Sequence, residues 1–248
     1  MPIAREAILD SKPMKTQWSP AELRRTLAAN ELFGVLSEQE LDQLLAHAHI
    51  VAYPAGALIF VKHDPGHSLM VVLRGLVKIS NFSPEGREAV HALMNPGEVF
   101  GEMALLDGKN RSATATALAA TDLLVLLRRD FVPFLEQNPR VAVRLIEVLC
   151  ARLRQTTATV EDGAFLGMAP RIARALLRLA KQYSRSEGGA VHIDLKLSQR
   201  ELGGLVGLAR ENVNRQLRAW HHQGLIRTGH GHIIINDMEA LESIAEEL

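Results

Sequence analysis

Between Tyr53 and Gly97 a turn signal recurs about every ten residues, the spacing of short strands in an all-β roll or barrel. Tyr53-Pro54-Ala55-Gly56, Asp64-Pro65-Gly66, Arg74-Gly75, Pro84-Glu85-Gly86 and Asn95-Pro96-Gly97 punctuate the segment. Glycine supplies positive φ at such points and proline a fixed φ. The apolar runs between them are Leu58-Ile59-Phe60-Val61, Leu69-Met70-Val71-Val72-Leu73, Val77-Lys78-Ile79 and Ala89-Val90-His91-Ala92-Leu93. They are too short for helices and long enough for strands. Strands joined by tight turns run antiparallel, so the spacing predicts an antiparallel β-roll, jelly-roll-like, which Leu123 to Leu127 closes. Helical patterns precede and follow it, which makes the fold class α+β.

Inside this roll, Phe100-Gly101-Glu102-Met103-Ala104-Leu105-Leu106-Asp107-Gly108-Lys109-Asn110-Arg111-Ser112-Ala113 carries the chemistry. Met103 to Leu106 form a short helix whose first amides, at Met103 and Ala104, point back toward Gly101 and attract an anion. Arg111 can return to the same point and clamp that anion with a planar, permanently charged fork, and Ser112 adds a hydroxyl. Glu102 is out of place beside an anion unless its carboxylate accepts from a sugar hydroxyl. Phosphate plus ribose hydroxyl on one loop points to a nucleotide monophosphate.

The chain of 248 residues is long enough for about two domains. It has no apolar run of membrane-spanning length, and residues 1–15 lack the apolar centre of a secretory signal. The single cysteine, Cys150, excludes an intramolecular disulfide and an all-cysteine metal site within one chain. No metal site is expected, and a cytoplasmic location fits. Net charge is zero, but from Gly167 to Ile235 eleven basic residues stand against four acidic ones. A basic block of that kind points to nucleic acid.

The helical parts have readable ends. Ser19-Pro20-Ala21-Glu22, Ser37-Glu38-Gln39-Glu40 and Ser198-Gln199-Arg200-Glu201 are capping boxes, and Leu36 with Leu41 forms a hydrophobic staple around the second. Leu41, Leu44, Leu45 and Ala48 give that helix one apolar face. Asn138-Pro139 starts a long helix, with Asn138 as its cap. Ala142, Leu145, Leu149, Arg152, Thr156, Thr159 and Gly163 recur along it at steps of three or four. That stripe predicts a seam between two subunits. Phe165 to Pro170 breaks the helix as a hinge, and Ser184 to Gly189 reads as an exposed loop.

From Ser198 a short helix with Leu202, Leu205 and Val206 inward reaches Gly207, which provides a tight turn. The next helix, from about Ala209, buries Val213, Leu217 and Trp220 and exposes Arg210, Glu211, Asn214, Arg215 and Arg218. This is a helix-turn-helix. Gly229-His230-Gly231, flanked by Leu225-Ile226 and Ile233-Ile234-Ile235, has the form of a wing. A last helix follows Asn236-Asp237, with Met238, Leu241, Ala245 and Leu248 inward. Expected DNA contacts are Ser198, Gln199, Arg200, Arg210, Glu211, Asn214, Arg215 and Arg218.

The stretch Phe-Gly-Glu-x-x-Leu through Arg111-Ser112-Ala113 resembles the phosphate-binding cassette of cyclic nucleotide-binding domains. Roll, long helix and winged helix-turn-helix together resemble the catabolite activator/fumarate–nitrate regulator (Crp/Fnr) family of bacterial transcription regulators, over roughly residues 32–235. The resemblance is strongest to the cyclic AMP receptor branch. It implies an arm and helix over 1–30, a cyclic nucleotide-binding roll over 31–137, a dimerisation helix over 138–166 and a DNA-binding domain over 167–248. It further implies that Gly101 and Glu102 bind ribose and that Arg111 and Ser112 bind phosphate. Thr156 and Thr157 would meet the purine, one from each subunit. Arg210, Glu211 and Arg215 would read bases in a half-site resembling TGTGA. The implied partners are double-stranded DNA, a second copy of the chain and RNA polymerase, with no membrane. The implied ligand is cyclic AMP, with cyclic GMP also permitted, and no covalent cofactor. The chain departs from the family pattern at His63, where Gly is usual, at His67, where an acidic residue is common, and at Ala209 and Asn212, where Ser and Thr are common.

Three other readings compete. A regulator of the same family could sense haem-bound gas or another small effector; the ten histidines permit haem, but none lies in a pattern that demands it. A cyclic nucleotide-binding subunit without DNA function is opposed by the helix-turn-helix. An enzyme would need a nucleophile beside a base, a metal set or a second acid, and the sequence offers none.

Overall fold

The computed structural model describes residues 18–187, 190–229 and 232–247. They form two compact units, each described separately: residues 18–81 with 91–153, and residues 82–90 with 154–247.

In the first unit, α1 (Pro20–Ala28) and α2 (Glu38–Leu45) start on the capping boxes of Ser19 and Ser37, with both reciprocal bonds in place. Eight strands follow: β1 (Ala48–Tyr53), β2 (Leu58–Phe60), β3 (Ser68–Arg74), β4 (Val77–Phe82), β5 (Glu88–Met94), β6 (Val99–Phe100), β7 (Thr114–Ala117) and β8 (Thr121–Leu127). They make two four-stranded sheets, in the orders β1-β8-β3-β6 and β2-β7-β4-β5. Ala48, expected on the face of α2, instead opens β1 opposite Leu126, because α2 ends at Leu45.

The pleat explains the unbroken apolar runs of β3 and β8. Met70, Val72, Leu123 and Val125 point into the roll with Phe60, Phe100 and Ala115. Leu69, Val71, Leu73, Leu124 and Leu126 point the other way, into a second core with Leu27, Phe33, Leu41 and Phe131. Side chains alternate between faces along a strand, and here both faces are covered.

Between β6 and β7 lies α3 (Glu102–Asp107). After β8 comes α4 (Arg128–Gln137), which the turn-like Arg128-Arg129-Asp130 and Pro133 hide from a reading of the sequence. The long helix α5 (Pro139–Phe165) follows directly. Asn138 does not cap it: its side chain is turned back to donate to the Phe134 carbonyl at 2.9 Å and closes the end of α4.

The stripe left exposed on α5 lies one residue on from the one expected as a seam. Leu145 is buried in the core of its own unit, and Arg152 is engaged there too. Val143, Ile146, Leu153 and Val160 are more than half exposed, with Cys150 between them; Phe165, at the end of the helix, is exposed off that stripe. Positions 143, 146, 150, 153, 157, 160 and 164 alternate steps of three and four, a heptad seam.

In the second unit, α6 (Met168–Tyr183) begins only two residues after α5, so the hinge is Leu166-Gly167. Asp162 is buried and fixes this junction, pairing with Arg174 at 2.6 Å and Arg178 at 3.2 Å. Ser184–Glu187, expected as loop, is β9, which pairs with β10 (Ala190–Ile193). The helices α7 (Gln199–Val206) and α8 (Arg210–His222) precede β11 (Ile226–Gly229) and β12 (His232–Ile235), and the sheet order is β11-β12-β10-β9. The wing tip at 230–231 lies outside the described residues. The last helix, α9 (Met238–Glu246), is capped by Asp237, whose Oδ1 accepts from Ala240 at 2.9 Å; Leu248 lies outside the described residues.

Candidate functional site

The cassette closes around Arg111. Its backbone is pinned on both sides by the turn before β3: the Asp64 carbonyl accepts from Arg111 N at 2.8 Å, and the Arg111 carbonyl accepts from His63 N at 2.9 Å. His63 makes this turn with φ of 75°, the one positive φ of a non-glycine residue among those described. Gly is favoured in such a conformation, so the departure at His63 carries backbone strain.

The guanidinium is buried, 4% exposed, and rests over the Phe60 ring with its carbon 4.3 Å from the centroid. Nη1 donates to the Ser68 carbonyl at 2.8 Å and the Gly101 carbonyl at 2.9 Å; Nη2 donates to Ser68 Oγ at 2.8 Å. All three acceptors are neutral, and Nε is buried without a partner. Burial pulls the pKa of Arg111 down to about 10, against the raising influence of Glu102 and Asp64. The group therefore stays charged at neutral pH, in a place where a charge is poorly stabilised.

Gly101 is required twice. It stands at φ of 79° as the N-cap of α3, and a Cβ there would come within 2.6 Å of Arg111 Nη1. At six residues α3 contributes little dipole, so the charge that attracts an anion is that of Arg111. Ala104 is buried, whereas Met103 is 53% exposed, with its sulfur 3.6 Å from Ser112 Oγ. Glu102 is buried and paired with Arg152 Nη1 at 2.9 Å; Arg152 also donates to the Val99 carbonyl. Gly101, Glu102, Met103, Ala104, Arg111 and Ser112 thus come together in one unit. Thr156 and Thr157 stand on exposed turns of α5 in the other.

Sequence reasoning missed Arg152, Ser68 and Phe60. Arg152 was assigned to the seam. Ser68 and Phe60 lie far from Arg111 in sequence, and only the sheet brings them to it.

In the second unit, Ser198 Oγ accepts from Glu201 N at 3.2 Å and Glu201 returns to Ser198 N at 2.8 Å, so the hydroxyl serves the cap of α7. Gly203 is buried where α7 and α8 meet; a Cβ would stand 2.7 Å from the Leu208 carbonyl. Val213, Leu217 and Trp220 are buried as expected. Ala209 gives α8 no side-chain cap bond. Arg200, Arg210, Glu211, Arg215 and Arg218 are exposed. Asn214 is engaged by Gln199 Nε2 at 3.0 Å, and Arg215 donates to Asn212 at 3.1 Å. A groove of about 600 Å³ lies between α7, α8 and the wing, lined by Ser198, Gln199, Arg200, Arg210, Thr228 and His232 among others. Among the described residues, no group of three or more His, Cys, Asp and Glu side chains could hold a metal ion, and no helix is long and apolar enough to cross a membrane.

The sequence matches the cyclic nucleotide-binding domain family over residues 50–138 and the Crp-like helix-turn-helix domain family over 170–244. It is 32% identical to the CRP-like cAMP-activated global transcriptional regulator of Mycobacterium tuberculosis, covering 87% of this chain and 96% of that one. It is 35% identical to the cyclic AMP receptor protein of Thermus thermophilus, covering 88% and 98%. Among solved structures, the c-di-GMP responsive global regulator CLP of Xanthomonas campestris superposes with a TM-score of 0.73 at 26% identity, covering 81% of this chain and 100% of that one.

Proposed function

The chain belongs to the Crp/Fnr family of cyclic nucleotide-binding, helix-turn-helix transcription regulators, and on that premise we propose that it is a cyclic AMP-responsive homodimer that binds an inverted-repeat DNA site. The observation that carries the ligand class is Arg111, a buried guanidinium with only neutral acceptors and an unpartnered Nε. A cyclic phosphate supplies the missing charge. On this reading Arg111 and Ser112 take the phosphate together with the amides of Met103 and Ala104. Glu102, beside Gly101 and held by Arg152, accepts from the ribose hydroxyl.

The two threonines lie on different stripes of α5. Thr156 lies one turn beyond Arg152. Thr157 lies one turn beyond Leu153, on the exposed stripe. On the family's pattern Thr156 and Thr157 meet the purine, one from each subunit. A ligand that touches both favours one packing of α5 against its copy, and so one placement of the reading helices.

On DNA, Arg210 and Arg215 read guanine and Glu211 accepts from cytosine, as their side-chain chemistry allows. Arg200, Arg218 and the amides and side chains at Ser198 and Gln199 face phosphates. Asn214, held by Gln199, sets that helix pair. RNA polymerase is the protein partner that the family resemblance implies.

The test is a titration of cyclic AMP, cyclic GMP and cyclic di-GMP into the purified protein, with binding to a palindromic DNA followed in the same samples. Stimulation by cyclic AMP supports the reading. Stimulation by cyclic di-GMP alone transfers the ligand to the class to which the Xanthomonas regulator responds.

A further inference from the structure

Glu211 and Arg215 are both exposed on α8 and stand four residues apart, the spacing at which opposite charges pair along a helix. A pair there would occupy both groups that the base reading needs, the carboxylate for cytosine and the guanidinium for guanine. Among the described residues no ion pair joins them. Arg215 is turned instead to Asn212, three residues before it, and its Nη2 donates to Asn212 Oδ1 at 3.1 Å. A guanidinium only donates, which assigns the amide: oxygen toward Arg215.

Asn212 lies in the first turn of α8, half-buried, where asparagine does nothing for helix propensity. What it offers is a neutral acceptor. It holds the guanidinium without cancelling its charge, and the other N–H groups of the fork stay available for guanine O6 and N7. Arg210 and Arg218, on the same helix, have no side-chain hydrogen bond or ion pair among the described residues. Arg215 is thus the one arginine of this face whose direction is set by a neighbour. We infer that Asn212 is a positioning residue for base reading, which aims the Arg215 fork and keeps it off Glu211 so that each reads its own base. The inference rests on the DNA reading proposed above.

The experiment is a cycle between the two side chains, read position by position on DNA. The full-length protein at saturating cyclic AMP is titrated with a palindromic duplex of TGTGA half-sites and with duplexes changed symmetrically at one base pair. Wild type, Asn212→Ala, Arg215→Ala and the double variant are compared. Alanine is the better helix former, so loss of the helix does not enter. Arg215→Ala should erase the preference at one position. Asn212→Ala should weaken the preference there and at the position read by Glu211 by roughly three- to tenfold, the value of about one net hydrogen bond. The position read by Arg210 should keep its preference. In the Arg215→Ala background, Asn212→Ala should change no preference by more than about twofold. An effect that persists in that background marks a structural role and overturns the assignment. So does a uniform loss on all duplexes with a shallower salt dependence, the sign of a phosphate contact. Unaltered preferences in Asn212→Ala sink the inference alone; unaltered preferences in Arg215→Ala, or a wild type with none, remove the base reading by Arg215 and the inference with it.

Discussion

Arg111 is charged where burial disfavours a charge. Its pKa in the fold, about 10, lies below the ordinary guanidinium value because burial disfavours the charge, a difference worth roughly 3 kcal/mol against the charged form. Because the folded value is the lower one, that cost is fully present below pH 10 and fades only as pH rises toward the ordinary value. Between pH 7 and 9 it is constant. Arg111→Leu should therefore leave the ligand-free protein as stable as the wild type, or more so, while abolishing the rise in melting temperature that cyclic AMP produces. Thermal unfolding with and without nucleotide checks both halves, and a ligand-induced rise of undiminished size removes Arg111 from the site. His91 behaves differently. Its folded value lies below the ordinary 6.5 because burial disfavours the charged ring. The stability it contributes is present above pH 6.5 and is lost as pH falls through the folded value. His91→Phe should flatten that part of the acid limb in a series of denaturant titrations. His63, in contrast, is strained by its φ of 75°. His63→Gly should raise stability by about 1 kcal/mol, read as a shift in denaturation midpoint with ligand affinity little changed.

At the scale of elements, the junction of α7 and α8 permits a sharper test. The two helices approach so closely at Gly203 that a Cβ would overlap a backbone carbonyl, which cannot swing aside as a side chain does. Gly203→Ala should destabilise the DNA-binding unit by about 1–3 kcal/mol and impair binding to every DNA sequence. Cyclic nucleotide affinity should remain, since the cassette lies in the other unit. Calorimetry and DNA titration on one preparation separate the two effects, and equal loss of both activities would contradict this division. The elements that the sequence discloses are those with a local chemical signature: the capping boxes at Ser19, Ser37 and Ser198, the Gly and Pro turns of the roll, and the Arg111-Ser112 end of the cassette. Those it conceals depend on distant partners. Helix α4 contains Pro133, which removes one backbone hydrogen bond, and is held by Phe131 in a core built from other elements. Strand β9 reads Ser-Arg-Ser-Glu, without apolar alternation, and exists through its ladder with β10. Arg152 is out of place on an apolar stripe until Glu102, brought by a separate loop, is seen to pair with it.

For the whole molecule, the exposed apolar stripe of α5 is the proposed contact between two chains. Leu145 and Arg152 are committed to their own unit. Val143, Ile146, Leu153 and Val160 remain more than half exposed at heptad spacing, and a second α5 is the partner of matching periodicity. In a parallel, in-register pair of α5 helices each seam residue meets its own copy. A charge introduced there meets an identical charge, and because the side chain is exposed in the single chain, the fold itself should tolerate the change. Leu153→Glu, or Ile146→Glu with Leu153→Glu, should convert the dimer to folded monomers by analytical ultracentrifugation. Leu145→Glu should instead unfold the first unit, since its side chain is 2% exposed. Had the seam followed Leu145, the two outcomes would be exchanged. Loss of the dimer also removes the effective concentration that couples two half-sites. The Leu153→Glu monomer should bind an inverted repeat no more tightly than a single half-site, and its salt dependence should fall to about half, as it neutralises half the phosphates. A Leu153→Glu protein that remains dimeric and keeps full affinity for the repeat would place the subunit contact elsewhere than on this stripe.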